Sequence, residues 1–200
     1  MHRRKLFPLL SVLLLWHDAP AQSLDLTAPE PFRIEAHLEG GPMFSQFRKR
    51  GLPEGAALTT MGYNGFVRLM WHPDYMVAIG ALAGYEQIVS DRYFVSDSLT
   101  DGWIRSSLNA VPMMFDVTIQ QFGFEFGLGL GGYIVTSKIE DLTVAHGTRL
   151  EFGSIAHLSY RWAISKGLTV GPELFVNYMS YRGILSVSPL VELNYDLISY

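Results

Sequence analysis

Residues 125–135 read EFGLGLGGYIV, and the run from Gly127 to Gly132 fits G-x-G-x-x-G. That pattern is the fingerprint of dinucleotide binding, where glycines let the backbone close on a pyrophosphate at a helix N-terminus. The fingerprint needs a strand before it, a helix after it and an acidic residue about 20 positions on. Here Phe122, Phe124, Phe126, Leu128 and Leu130 alternate with Gly123, Glu125, Gly127, Gly129 and Gly131. No helical period begins at Gly132, and Glu151 falls in another alternating segment. The stretch therefore reads as a β-strand with an apolar face and a glycine face. Its glycines leave room for large side chains of neighbouring strands, and no nucleotide site is expected.

The same period of two runs through the rest of the chain. Arg33 to Glu39 places an ionisable residue at every second position. Met61, Tyr63, Gly65, Val67, Leu69 and Trp71 oppose Gly62, Asn64 and Arg68. Val77, Ile79, Ala81, Ala83 and Tyr85 oppose Gly80, Gly84 and Glu86. Leu168 to Tyr178 and Val187 to Leu197 repeat the pattern, with Glu173, Asn177, Glu192, Asn194 and Asp196 on the second face. Two segments are less regular: 104–118, where the parity suggests a bulge near Pro112, and 150–163, where Ala156, Leu158, Tyr160 and Trp162 share a face. No 3.6-residue stripe follows the first 31 residues, so the chain reads as eight strands and no helix.

Connection lengths fix the architecture. Tight turns are expected near His72-Pro73-Asp74, Ile119-Gln120-Gln121 and Ser165-Lys166-Gly167. Long polar connections are expected at about 45–58, 90–102 and 136–149, with an intermediate one near 180–185. Alternating short and long connections describe an up-and-down meander, and a barrel built that way matches bacterial outer-membrane proteins. The polarity agrees: the consistent face is apolar, as a lipid-facing wall must be. The other face carries Arg33, Glu35, Glu39, Arg68, Glu86, Glu125, Glu173 and Glu192, with Arg105 and Arg161 expected beside them. These charges read as a structural ionic network that fills the lumen, since eight strands enclose a space just wide enough for side chains. Trp71, Tyr75, Phe122, Tyr160, Trp162, Tyr195 and Tyr200 cluster at the tight-turn level as an interfacial girdle.

The N-terminus explains how such a chain would reach that membrane. Arg3, Arg4 and Lys5 precede an apolar run from Leu6 to Trp16, and Ala19-Pro20-Ala21 supplies a small-x-small cleavage site. The run is too short to span a bilayer as a helix. Residues 1–21 are expected to be a cleavable signal peptide, 22–31 a short periplasmic segment and 32–200 the barrel domain. Cleavage would leave 12 Lys and Arg against 18 Asp and Glu, a net charge of −6, which argues against nucleic acid as partner. There is no cysteine, hence no lipobox.

With these residues in place, the chain over about 32–200 resembles the small outer-membrane β-barrel family that includes OmpA-like and PorT-like proteins. The Leu108-Asn109-Ala110-Val111-Pro112-Met113-Met114 strand is similar to the x-Ile-Pro-Leu-Leu-like strand of PorT-type barrels, and Tyr200 stands as the terminal aromatic. The resemblance implies an antiparallel transmembrane barrel with both termini periplasmic. It also implies contact with outer-membrane lipid and lipopolysaccharide, and handling by the barrel-assembly machinery. It identifies an architecture far better than a function. Tyr195 and Leu197 are out of parity with Tyr200, so either a bulge near Ile198 or fraying of the last residues is expected.

Three constellations could carry more than structure. His157 and Ser159 share a face and resemble the His-x-Ser element of eight-stranded lipid A deacylases; those place Asn after the Ser, where Tyr160 stands here, and no orienting acid is identifiable from sequence. Arg48, Lys49 and Arg50 in the first long connection could grip lipopolysaccharide phosphates. His37, His72, His146 and His157 lack metal-ligand spacing. The reading is a non-enzymatic outer-membrane barrel with a structural or surface-interaction role and no cofactor. The alternatives are a lipid A-modifying enzyme, a lipocalin-like periplasmic carrier and a PorT-type secretion accessory.

Overall fold

Leu128 and Gly129 sit one residue apart on opposite sides of the wall, the first 55% exposed and the second buried. The same outward-inward alternation runs through the apolar-belt portion of the long strands of the computed structural model. The structure describes residues 32–46, 61–73, 76–97, 100–140, 144–180 and 183–199. The expected signal peptide, the 22–31 segment and Arg48, Lys49 and Arg50 lie outside the described residues, as do Tyr75 and Tyr200.

Nine strand segments follow in order: β1 (Arg33–Gln46), β2 (Met61–His72), β3 (Val77–Asp97), β4 (Thr100–Gln121), β5 (Phe124–Glu140), β6 (Val144–Tyr160), β7 (Trp162–Ser165), β8 (Leu168–Met179) and β9 (Ile184–Ser199). Each pairs antiparallel with its neighbour, β1 pairs with β9, and β6 pairs with β8 to close the ring. β7 continues the line of β6 along β8 after a break at Arg161, so the barrel has eight staves. The structure is an all-β, eight-staved, up-and-down antiparallel barrel. Closure leaves no sheet edge in the wall, which satisfies the backbone without water.

Of the expected connections, the turn at His72-Pro73-Asp74 and the long one at 45–58 lie partly or largely outside the described residues; the turn at Ser165-Lys166-Gly167 stands as expected, and the other is shifted. Gln121 pairs with Phe124, so the two-residue turn is Phe122-Gly123, one step beyond the expected position. Both turn residues have positive φ, 54° and 80°, the combination that matches the right-handed strand twist. Two of the expected long connections differ more. The 90–102 and 136–149 segments are strand over most of their length, with Asp97 paired to Thr100 and Glu140 to Val144. Their polarity reads as loop, but backbone pairing across a hairpin does not depend on an apolar face.

The bulge expected near Pro112 lies on β3 instead. β4 keeps even-numbered residues inward throughout, and the register shift falls between Gln87 and Val89. Pro112 lacks an N–H to donate, and the β4–β5 ladder runs unbroken through Pro112–Tyr133 while the β3–β4 ladder skips it. At the C-terminal end, the register shift of the β1–β9 pair lies between Ile34 and Glu35, opposite the expected irregularity near Ile198.

The outer surface carries a continuous apolar belt. On β4 it runs from Ile119 to Val111, on β5 from Phe124 to Ile134 and on β6 from Leu158 to Leu150. About 9–11 residues is the length a tilted strand needs to cross the hydrocarbon. Aromatic pairs frame the tight-turn end: Phe32–Trp71, Phe124–Tyr160 and Tyr160–Trp162 all meet edge to face.

Candidate functional site: the lumen

The interior divides into two tiers. Toward the tight turns, inward positions of β1, β2, β4, β5, β6, β8 and β9 are charged. Toward the long hairpins they are mostly apolar, and Met43, Phe66, Leu82, Met114, Ile155, Phe175, Met179, Ile184 and Leu190 belong to one packed cluster. A uniformly polar lumen, as the alternation alone suggests, is therefore corrected. The boundary is marked by Phe66 and Phe175, whose rings stack across the lumen 4.7 Å apart.

Arg68 is the centre of the charged tier and is fully buried. Its Nη2 lies 2.6 Å from Glu39 and 2.7 Å from Glu173, its Nη1 3.1 Å from Glu125, and its Nε 3.6 Å from Asp116. Nη1 is also 3.2 Å and 3.1 Å from the two ring nitrogens of His157, a position over the ring face rather than in its plane. His157 meanwhile contacts Asp116 at 3.0 Å and Glu173 at 3.1 Å. Five strands thus converge on one guanidinium.

A second cluster sits nearer the tight turns around Arg161. Its guanidinium contacts Glu35 at 3.0 Å, Glu192 at 3.2 Å and also Glu125, which joins the two clusters. His37 bridges Glu35 at 3.2 Å and Glu192 at 3.0 Å. His72 adds a contact to Glu35 at 3.1 Å, and Arg33 another at 2.7 Å. Arg161 falls at the break between β6 and β7, where the interrupted ladder lets the side chain turn into the lumen.

Seven of the eight residues expected in the network meet here: Arg33, Glu35, Glu39, Arg68, Glu125, Glu173 and Glu192. Glu86 does not. It accepts a hydrogen bond from Asn177 at 2.6 Å, on the apolar side of the Phe66–Phe175 stack. Arg105 is exposed and belongs to the outward face of β4, because the parity does not change at Pro112. His37 and His157, inward by the same alternation, join the network, and Asp116 and His72 are members that the sequence did not single out.

His37, Glu125 and Glu192 bring one ligand atom each within 4.8 Å of one another, a grouping that sequence spacing did not anticipate. The Arg161 guanidinium contacts both carboxylates, so these donors already serve a cation of the chain's own. For the His-x-Ser element, the structure supplies an acid, Asp116, that the sequence had hidden. Both ring nitrogens of His157 are engaged by carboxylates, however, and the buried Ser159 hydroxyl makes no hydrogen bond. The opening glycines are explained by the same packing. A Cβ at Gly127 would run into the His157 imidazole, and one at Gly129 would come within 2.7 Å of Ile155.

No protein-family model matches the chain, and no curated protein sequence matches it. Solved structures do. A major outer membrane protein of Thermus thermophilus aligns with a TM-score of 0.52 at 10% identity, over 82% of this chain and 99% of the other. Ail, the attachment invasion locus protein of Yersinia pestis, solved with the heparin analogue sucrose octasulfate, aligns with a TM-score of 0.51 at 8% identity, again over 82% and 99%. At such identities the likeness concerns the fold: this chain has the architecture of the small bacterial outer-membrane β-barrels.

Proposed function

We propose that the protein is a plugged barrel of the bacterial outer membrane that holds a β-sheet platform above the lipid for surface interaction. The observation that carries this is the length of β3 to β6 beyond the apolar belt. From Val89–Leu108 to Asp97–Thr100 the ladder continues for about 26 Å, and from Ile134–Leu150 to Glu140–Val144 for about 20 Å, at a strand rise near 3.3 Å. Along this extension the outward positions turn polar, with Arg105, Ser107, Thr136, Lys138, His146 and Thr148. β8 pairs with β6 up to Gly153, so among the described residues no strand covers the outer edge of 144–150. An uncovered edge can accept an added strand from a partner.

On this reading both termini are periplasmic, the platform faces outward, and the barrel-assembly machinery inserts the chain. Arg48, Lys49 and Arg50 remain candidates for lipopolysaccharide phosphate. A lipocalin-like carrier is disfavoured by the exposed apolar belt and the filled interior, and a deacylase by the engaged His157 and its place inside the lumen. No residue favours a secretion role.

The test is topological. Single cysteines at Thr148 and at Gln120 are exposed to a membrane-impermeant maleimide on intact cells. Thr148→Cys is expected to label and Gln120→Cys to stay dark. Labelling confined to the Gln120 variant inverts the barrel and ends the platform reading.

A further inference from the structure

Among the described residues Glu86 is the one fully buried carboxylate on the apolar side of the ring stack. Among the described residues no Lys, Arg or His pairs with it. One carboxylate oxygen accepts from Asn177, and the other has no partner. Two further buried oxygens lie near it. Asn64 is the direct cross-strand partner of Glu86, and its Oδ1 accepts nothing while its amide donates to Ser188 at 2.8 Å. The Tyr133 hydroxyl, on a fully buried side chain, lies beside the Asn177 amide and close to Glu86.

An ionised carboxylate in an apolar interior costs several kcal/mol unless a counter-charge meets it. The charged tier solves this with Arg68 and Arg161, but Phe66 and Phe175 stand between that tier and Glu86. The local donor set is oxygen alone: carboxylate, amide carbonyl and phenol. Oxygen donors suit hard cations rather than thiophilic ones. A single carboxylate balances one positive charge, whereas a divalent ion would leave an excess buried.

We propose that Glu86, Asn64 and Tyr133 form a site for a hard monovalent cation of the sodium type, closed on its tight-turn side by the Phe66–Phe175 stack. A line of small polar side chains leads toward it from the hairpin end: Ser45 and Ser186 bond at 2.8 Å, and Ser186 pairs across strands with Asn177. The site uses the barrel's interior and does not depend on which end faces out.

The experiment is thermal unfolding of the refolded wild-type barrel in lipid vesicles, with sodium chloride or tetramethylammonium chloride at equal ionic strength and pH. Sodium is expected to raise the midpoint in a saturable way that the organic cation cannot reproduce. Glu86→Gln, verified as folded by its heat-modifiable gel band, is expected to lose that difference. Tyr133→Phe, which keeps the charge and removes one oxygen, is expected to need more sodium for the same shift. Glu192→Gln, in the charged tier, is expected to keep the full wild-type response. Identical midpoints in the two salts for wild type, which leave the charge to a proton or a water, overturn the proposal. An undiminished sodium response in Glu86→Gln overturns it equally.

Discussion

Phe66 lies on Phe175 with an interplanar angle of 26°, and the two rings separate a charged half of the lumen from an apolar one. Phe66 stands between Arg68 and Asn64 on β2, and Phe175 between Glu173 and Asn177 on β8, so the pair seals the same level from two sides. The barrel is therefore filled by two different kinds of core, ion pairs below and packed hydrocarbon above. Phe175→Ala is expected to destabilise the barrel by about 3–5 kcal/mol, as for a fully buried aromatic elsewhere. Urea titration of folding into vesicles measures it; a loss near zero would mean that the stack is not a packed core.

The wall makes a graded prediction. Leu128 lies near the middle of the belt on β5 and Phe124 at its tight-turn end. Leu128→Arg is expected to cost about 2–4 kcal/mol and Phe124→Arg about 0–1 kcal/mol, because the penalty follows depth in the bilayer. Gly129→Ala, one residue from Leu128, acts differently: its new methyl presses on Ile155 at 2.7–2.8 Å and on the Phe115 carbonyl at 2.9 Å. Its cost should persist when the bilayer is replaced by detergent of a different hydrophobic thickness, while the Arg gradient should move.

The architecture was legible in the sequence because a lipid-facing wall imposes strict alternation, and 125–135 shows it without interruption. The filling was not. Inward Phe66, Leu82 and Phe175 stand between polar or glycine positions of the same face, such as Asn64 and Arg68 or Glu173 and Asn177, so the polar members set the reading of that face and hid its apolar filling. Arg68 was readable as a lumen charge, and of the two candidates that its neighbouring strands offer, Glu86 first and Glu39 second, only Glu39 meets it. Adjacency of β2 and β3 points first to Glu86, whereas the register sets Arg68 against Leu82 and Glu86 against Asn64. The carboxylates that do meet it come from β1, β4, β5 and β8, brought together by closure of the barrel. Polar composition also hid the full length of β3 to β6, since hairpin pairing beyond the apolar belt leaves no apolar stripe to read.

The Arg68 cluster is open to a compensation test. Arg68→Ala strands Glu39, Glu173, Glu125 and Asp116 without their central cation, and breaking a buried pair typically costs about 3–5 kcal/mol. Adding Glu39→Gln to Arg68→Ala should recover part of the loss, and Glu173→Gln a similar part, because each removes one stranded charge. Adding Glu86→Gln should recover none. Double-mutant cycles in the urea titration separate these outcomes, and a rescue by Glu86→Gln matching that of Glu39→Gln would refute the two-tier arrangement.

The last prediction concerns conduction. The charged tier offers carboxylates that could line a cation path, but Arg68 and Arg161 each hold several of them, and above them Met43, Phe66, Phe175, Met179 and Leu190 pack around the few inward polar side chains. Ions crossing the barrel would have to break the Arg68 contacts and also pass the Phe66–Phe175 stack. Purified wild type in a planar bilayer is therefore expected to show no steady unitary current. Removing one obstacle should not suffice: Phe66→Ala with Phe175→Ala leaves the ion pairs, and Arg68→Gln leaves the rings. Combining all three substitutions, in any preparation that keeps its heat-modifiable band, should give measurable openings that favour cations, because the exposed lining is then acidic. Reproducible cation-selective openings in the wild type would show that the tiers open spontaneously, and the glutamates would then be a selectivity lining and not a plug.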